Sequence, residues 1–196
     1  LDEFPCPNCS AKLNKRNMAR VWVNKFDDLL KKTVKQAKQV PVLINYTIDG
    51  KKYQKKPDTL DFALIDKIES SIIPYWIPIY ELPNGFNTKQ PKASHGFDHA
   101  HQFYTKRNLW VLSACWERLV KAGPRFPFLF TASQRALSKM ASIAFSYFFH
   151  GGGGFINAGT KGTLYVSSTN PEVSVFHSLT SRIRSLKYSF EADRSN

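Results

Sequence analysis

The chain has 196 residues, enough for one large domain or two small ones with a real core. Apolar residues make up 42% and aromatic residues 14% of it, which excludes wholesale disorder. With 28 Lys and Arg against 15 Asp and Glu, the formal net charge is +13; this suits a polyanionic partner, nucleic acid ahead of an anionic membrane surface. Three cysteines exclude a disulfide framework. The absence of a signal peptide and of an apolar run of about 18 residues points to a soluble, cytoplasmic chain that does not enter membranes. It opens at Leu1 rather than Met, as a piece excised from something longer would.

The charge is uneven. Residues 1–56 hold 13 Lys and Arg against 5 acids, residues 57–80 reverse to −3, and the two stretches beyond return to +4 each. This divides the chain into a basic, β-rich part over 1–56 and a helical part with a short strand over 57–196. In chain order, residues 19–26 alternate as a short strand does, and 27–38 are polar and helix-compatible. Residues 40–47 are β-rich, and Asp49-Gly50 signals a hairpin into 52–54. Asp58 caps a helix to about Ser70, with Leu60, Leu64, Ile65 and Ile68 on one face. Residues 71–97, with four prolines and two glycines, read as a long irregular segment. Thr105 caps a helix to Ala122 whose stripe is Leu109, Leu112, Cys115, Trp116 and Leu119, stopped by Gly123-Pro124. Residues 132–149 read as another helix, Gly151 to Gly154 as a flexible break and 162–166 as a strand. Asn170-Pro171 opens a last helix with Val175, Phe176, Leu179, Ile183 and Leu186 inward. No repeat and no βαβ rhythm is present, so the fold class is α+β without a Rossmann core.

Four features could carry chemistry. Cys6-Pro-Asn-Cys9 offers two thiolates on a tight turn, half of a tetrahedral zinc site that His95, His99 and His101 could complete. An empty turn is the alternative. Lys106, Arg107 and Asn108 fill the first turn of a helix, where cations oppose the macrodipole unless an anion sits there. Arg and Asn also read guanine and adenine edges. A solvated helix start is the alternative. Lys139 precedes the glycine run, and Lys89 and Lys92 add charge upstream of the three histidines. The candidate DNA contacts are therefore Lys89, Lys92, His99, His101, Lys106, Arg107, Asn108 and Lys139. Lys106 and Arg107 are expected to matter most, and Lys31 and Lys32 serve as distant basic controls. The fourth feature, residues 162–166, is most simply a core strand.

No Gly-x-Ser-x-Gly, His-Glu-x-x-His or P-loop motif occurs, and Pro74-Tyr75 lacks the residues that would make an Asp/Asn-Pro-Pro-Tyr motif. No catalytic residue is expected in this chain.

The stretch Pro74-Tyr-Trp-Ile-Pro78 through Phe103-Tyr-Thr-Lys-Arg-Asn-Leu109 to Trp116-Glu-Arg-Leu119 resembles the middle region of large bacterial adenine-specific DNA methylases. Phe4-Pro-Cys-Pro-Asn-Cys9, Gln39-Val-Pro-Val-Leu-Ile-Asn-Tyr46 and Gly162-Thr-Leu-Tyr-Val166 agree in order. The resemblance implies a segment inserted between the cofactor-binding and catalytic motifs of a methyltransferase that uses S-adenosylmethionine. Such a segment contacts double-stranded DNA, works with the methyltransferase core of the same polypeptide and binds no S-adenosylmethionine itself. Some relatives carry a second Cys-x-x-Cys, which this sequence lacks. The competing readings are a free-standing DNA- or RNA-binding module and a protein-interaction domain.

Overall fold

The computed structural model describes residues 3–14, 18–124, 126–150, 156–157 and 162–194. They form an α+β arrangement in which each described strand pairs with one neighbour only, so the sheets are separate antiparallel hairpins. β1 (Phe4–Pro5) pairs with β2 (Lys12–Leu13), β3 (Trp22–Asp27) with β4 (Lys32–Ala37), and β5 (Ile44–Ile48) with β6 (Lys51–Lys55). α1 (Thr59–Ser70), α2 (Phe86–His95), a 3₁₀ turn (Ala100–Phe103) and α3 (Lys106–Ala122) follow. Then come α4 (Phe126–Thr131), α5 (Gln134–Leu137), β7 (Ser142–Ile143), α6 (Phe145–His150), β8 (Ile156–Asn157) and α7 (Val175–Arg194).

The β5–β6 turn and the caps of α1 and α3 form where the sequence places them. Asp49 and Gly50 have φ of 50° and 76°, the two left-handed residues of a tight hairpin. Asp58 accepts from the N–H groups of Leu60 and Asp61, while Asp61 accepts from Asp58 in return. Thr105 Oγ1 accepts from Asn108 N at 3.2 Å.

Several elements differ from expectation. Residues 27–38 are not helical: Asp27 Oδ1 accepts from Leu29 N and Leu30 N, turning the chain so that β4 returns along β3. A side-chain turn thus overrides polar, helix-compatible composition. Inside the supposedly irregular segment 71–97, α2 carries Pro91 and ends at Gly96, whose φ of 70° lets its N–H reach Lys92 O. The helix expected over 132–149 is broken after Leu137. There Ser138 Oγ bonds Arg135 O and accepts from Met140 N, and Lys139 N turns to Phe103 O. The strand expected at 162–166 has no strand partner among the described residues. Gln90 takes that role, its side-chain amide donating to Val166 O at 2.9 Å and accepting from Val166 N at 3.0 Å. Asn170 does not open α7; its amide ties back to Lys139 O instead, and the helix starts at Val175. Gly151 to Gly154 lie outside the described residues.

Two apolar clusters make the core. One joins Leu112 of α3 to Phe130, Leu137 and Val175, with Cys115, Trp116, Leu119 and Leu179 against it; the other joins Phe97, Phe103 and Val166. Tyr104 packs on both, and burial raises its phenol pKa to about 12. The α3 stripe is therefore as expected at Leu112, Cys115, Trp116 and Leu119, with Val111 rather than Leu109 packed against the cluster. The expected inward faces of α1 and α7 are not: Leu60, Leu64, Phe176, Ile183 and Leu186 are exposed, leaving Ile65, Ile68, Val175 and Leu179 to face the protein.

Gly96 fixes the β3–β4 hairpin against α2, since a Cβ there would stand 2.1 Å from Lys35 O. Gly96→Ala combines that clash with an unfavourable positive φ, and we expect it to cost about 2–4 kcal/mol in urea unfolding. Asp58→Ala, which removes only a helix cap, should cost about 1 kcal/mol.

Candidate nucleic-acid interface

The first turn of α3 holds the two cations that the helix dipole disfavours, and both have found anions within the protein. Lys106 Nζ donates to Asp28 Oδ2 at 2.8 Å and to Glu69 O at 2.6 Å. Arg107 forms a two-pronged pair with Glu172, Nε to Oε1 at 2.8 Å and Nη2 to Oε2 at 2.5 Å, which strengthens the guanidinium's hold on its charge. Asn108 is buried, and its amide donates to Leu137 O and Val173 O, each at 3.1 Å. The counter-charge at this helix start is thus supplied by two carboxylates of the same chain, where the sequence pointed to a phosphate.

His95, His99 and His101 are also inside. His95 is 1% exposed; Arg20 Nη1 lies 3.3 Å from its Nε2 and Ser94 Oγ lies 2.7 Å from its Nδ1. His99 Nδ1 sits 2.6 Å from Asp98 Oδ1, and His101 Nε2 sits 2.8 Å from Asp27 Oδ2. The His99 and His101 rings are 5.8 Å apart, and His101 Nδ1 is buried without a hydrogen-bond partner among the described residues. Burial is the largest single influence on Asp27 and pushes its pKa up. The hydrogen bond and charge of His101, with Leu30 N–H and the Gln102 amide, outweigh it and hold the carboxyl at about 2.

Lys139 Nζ donates to Gln102 O at 3.0 Å and lies 4.6 Å over the Phe97 ring. Burial first, and then the charge of Lys25, draw its pKa down to about 7. Lys89 and Lys92 are on the surface of α2. They line a shallow cavity of about 450 Å³ with Asn84, Gly85 and Thr88, and Lys92 also borders a second of about 410 Å³ with Lys32, Lys35 and Asp98. Lys92 bonds Leu82 O and Asn84 Oδ1 as well. The structure therefore brings Lys89 and Lys92 together with Lys32 and Lys35 of β4. Lys32 is no distant control: the β3–β4 tip that carries it also carries Asp27 and Asp28, which clasp His101 and Lys106.

Sequence reasoning missed Asp27, Asp28 and Glu172, because their partners lie 65 to 78 residues away. The one local hint is the Asp27-Asp28 pair ahead of Leu29 and Leu30, whose spacing suits an Asx turn.

Cys6 and Cys9 do share a turn. The N–H groups of Asn8 and Cys9, then the Cys9 thiol, pull the Cys6 thiol below its usual pKa. Among the described residues no group of three or more His, Cys, Asp and Glu could hold a metal, and none of His95, His99 and His101 lies in such a group with Cys6 and Cys9. Cys115 packs against the α3 core, where burial pushes its thiol up. Among the described residues no helix is long and apolar enough to cross a membrane.

Burial first, and then the charges of Arg20 and Lys139, lower the His95 pKa from 6.5 to about 4. The unfolded imidazole therefore takes its proton first, and the stability that the neutral ring contributes above pH 6.5 is lost as pH falls towards 4. Urea unfolding across this window should show a loss of about 3 kcal/mol. In His95→Gln the loss should shrink, and an unchanged profile in that variant would sink the assignment.

No family model matches the chain, and no curated protein or solved structure was found to resemble it.

Proposed function

We propose that this chain is the DNA-contacting, target-recognition region of a bacterial adenine-specific DNA methyltransferase, inactive by itself and acting with the methyltransferase core of the same polypeptide. The observation that carries the reading is the cationic surface around α2 and β4. Lys32, Lys35, Lys89 and Lys92 line two adjoining shallow cavities, on a chain whose net charge is +13. Several lysines spaced over a concave surface neutralise successive phosphates, and the gain is the release of condensed counterions.

The order of the methylase-like segments along the chain supports the rest. Exposed apolar side chains support a larger neighbour. Leu60, Phe86 and Phe128 are 79%, 94% and 80% exposed, more apolar surface than a body surrounded by water alone tends to keep. Lys106 and Arg107 serve this reading indirectly. Through Asp28 and Glu172 they hold the β3–β4 tip and residue 172 to the start of α3.

Fluorescence anisotropy with a labelled duplex should show weak binding whose constant falls with salt at a slope near −0.9 per phosphate neutralised. Lys32→Ala/Lys35→Ala/Lys89→Ala should weaken binding to every sequence and lower the slope by roughly one unit for each phosphate left without its cation. Lys106→Ala should act first on stability, costing about 1–3 kcal/mol, because it leaves Asp28 without its cation. A triple variant that binds as the wild type does would overturn the assignment of this surface. Micromolar binding of S-adenosylmethionine by calorimetry would overturn the reading of the chain as an inserted segment.

A further inference from the structure

The β5–β6 hairpin stands apart from the surface just described. It is a two-stranded ribbon with the register Ile44↔Lys55, Asn45↔Gln54, Tyr46↔Tyr53, Thr47↔Lys52 and Ile48↔Lys51. Side chains alternate across a strand, so one face carries Asn45, Thr47, Lys52 and Gln54. The other carries Tyr46, Ile48, Lys51 and Tyr53. All eight residues are exposed. Tyr46 and Tyr53 stack across the strands with ring centroids 5.6 Å apart, which stiffens the ribbon from behind. Its base is anchored, for Lys55 Nζ bonds Asp58 at 2.9 Å and Asp61 at 2.7 Å in the cap of α1.

The polar face is chemically selective. It has no carboxylate, and the only acid between Ile44 and Lys55 is Asp49 in the turn. No side chain among Asn45, Thr47, Lys52 and Gln54 makes a hydrogen bond or ion pair among the described residues, nor do the ammonium groups of Lys51 and Lys56. A face that only stabilised the hairpin would gain from opposite charges across the strands. This one instead presents two carboxamides side by side, a hydroxyl and an ammonium.

The fit to a partner follows from dimensions. A two-stranded ribbon has strands about 4.8 Å apart, and the major groove of duplex DNA, about 12 Å wide, admits one. Asn and Gln pair bidentately with adenine N6 and N7, Lys with guanine, and Thr with either kind of edge or the thymine methyl. Asn45 and Gln54 are directly opposed, which puts their Cβ atoms about 5 Å apart. Flexible amides at that spacing reach successive base pairs, which rise about 3.4 Å.

We propose that the β5–β6 ribbon enters the major groove of double-stranded DNA, with Asn45, Thr47, Lys52 and Gln54 towards the base edges and Lys51 and Lys56 on the flanking phosphates. The proposal rests on the reading of the chain as DNA-contacting and adds the element that reads sequence. The α2–β4 lysines then supply affinity common to all sequences, and the ribbon supplies preference.

The test starts from a duplex pool with a randomised centre, from which the full chain selects its preferred sequence. Anisotropy then compares that duplex with a scrambled one across a salt series. Asn45→Ala/Gln54→Ala should cut the preference for the selected duplex about 10- to 100-fold and leave the scrambled duplex and the salt slope unchanged. Lys51→Ala/Lys56→Ala should weaken both duplexes alike and reduce the slope by about two units. Gln54→Glu should move the selected sequence from adenine towards cytosine at one position, since a carboxylate accepts from the cytosine amino group. Circular dichroism confirms that each variant is folded, as expected for exposed positions.

If the wild type binds duplex and all three variants match it on both duplexes, the ribbon is overturned while the DNA reading stands. If the wild type binds no duplex, both fall. A preference for single-stranded oligonucleotide that disappears in Tyr46→Ala/Tyr53→Ala would replace groove entry with base stacking and overturn the proposal.

Discussion

Cations in the first turn of a helix meet the positive end of the backbone dipole, and α3 begins with two of them. Their neutralisation organises much of what surrounds them. Lys106 draws in Asp28 from the β3–β4 tip and Arg107 draws in Glu172 from the segment before α7. The same tip supplies Asp27 to His101, and Lys25 of β3 pairs with Glu69 at the end of α1. Hairpin, α1, α3 and the C-terminal segment are thus fastened at one place by charge. The apolar cluster around Leu112 begins one turn further along the same helix. Partly buried pairs of this kind contribute little net stability over a hydrophobic alternative, but removing one partner strands a charge, so they specify which elements meet.

What was legible in the sequence was local. Asp58, Thr105 and Asp49-Gly50 act on neighbours within four residues, and each does in the structure what its residue type allows. The α3 stripe was legible because a 3.6-residue period needs only one helix to be seen. Long-range substitutions of one partner for another were not. Gln90 stands in for a strand beside Val166, and Asn170 holds Lys139 O instead of capping a helix. Both side chains are ordinary in the sequence; only the fold brings a backbone within their reach. The outward faces of α1 and α7 show the converse, since apolar periodicity states that a face wants cover and not what provides it.

The candidate site was legible in part for the same reason. Excess charge, Lys89 and Lys92 could be read directly, whereas the helix-start cations were assigned to a phosphate and are paired within the chain. The sequence could not say that the anion belonged to the protein, because Asp28 and Glu172 are separated from α3 by the folding of whole elements. Lys32 and Lys35 were hidden more simply, within a stretch whose polar composition resembled a helix and whose Asx turn made it a strand. Exposed cations stand on β4, α2 and the β5–β6 ribbon, whereas Lys106 and Arg107 at the start of α3 are paired with carboxylates of the same chain.

Because every described sheet is a lone pair of strands, each hairpin keeps two unpaired edges, and many large apolar side chains are bare. Like-charge repulsion from a net charge of +13 opposes the approach of a second copy, and counterions screen it over about 10 Å at 0.1 M ionic strength. Salt therefore acts on the molecule twice in the same direction. The ionic strength that weakens any ionic contact with a polyanion also screens the repulsion between copies, so the two effects share one electrostatic origin. A bound polyanion, by contrast, can neutralise the charge while covering the surface it came from.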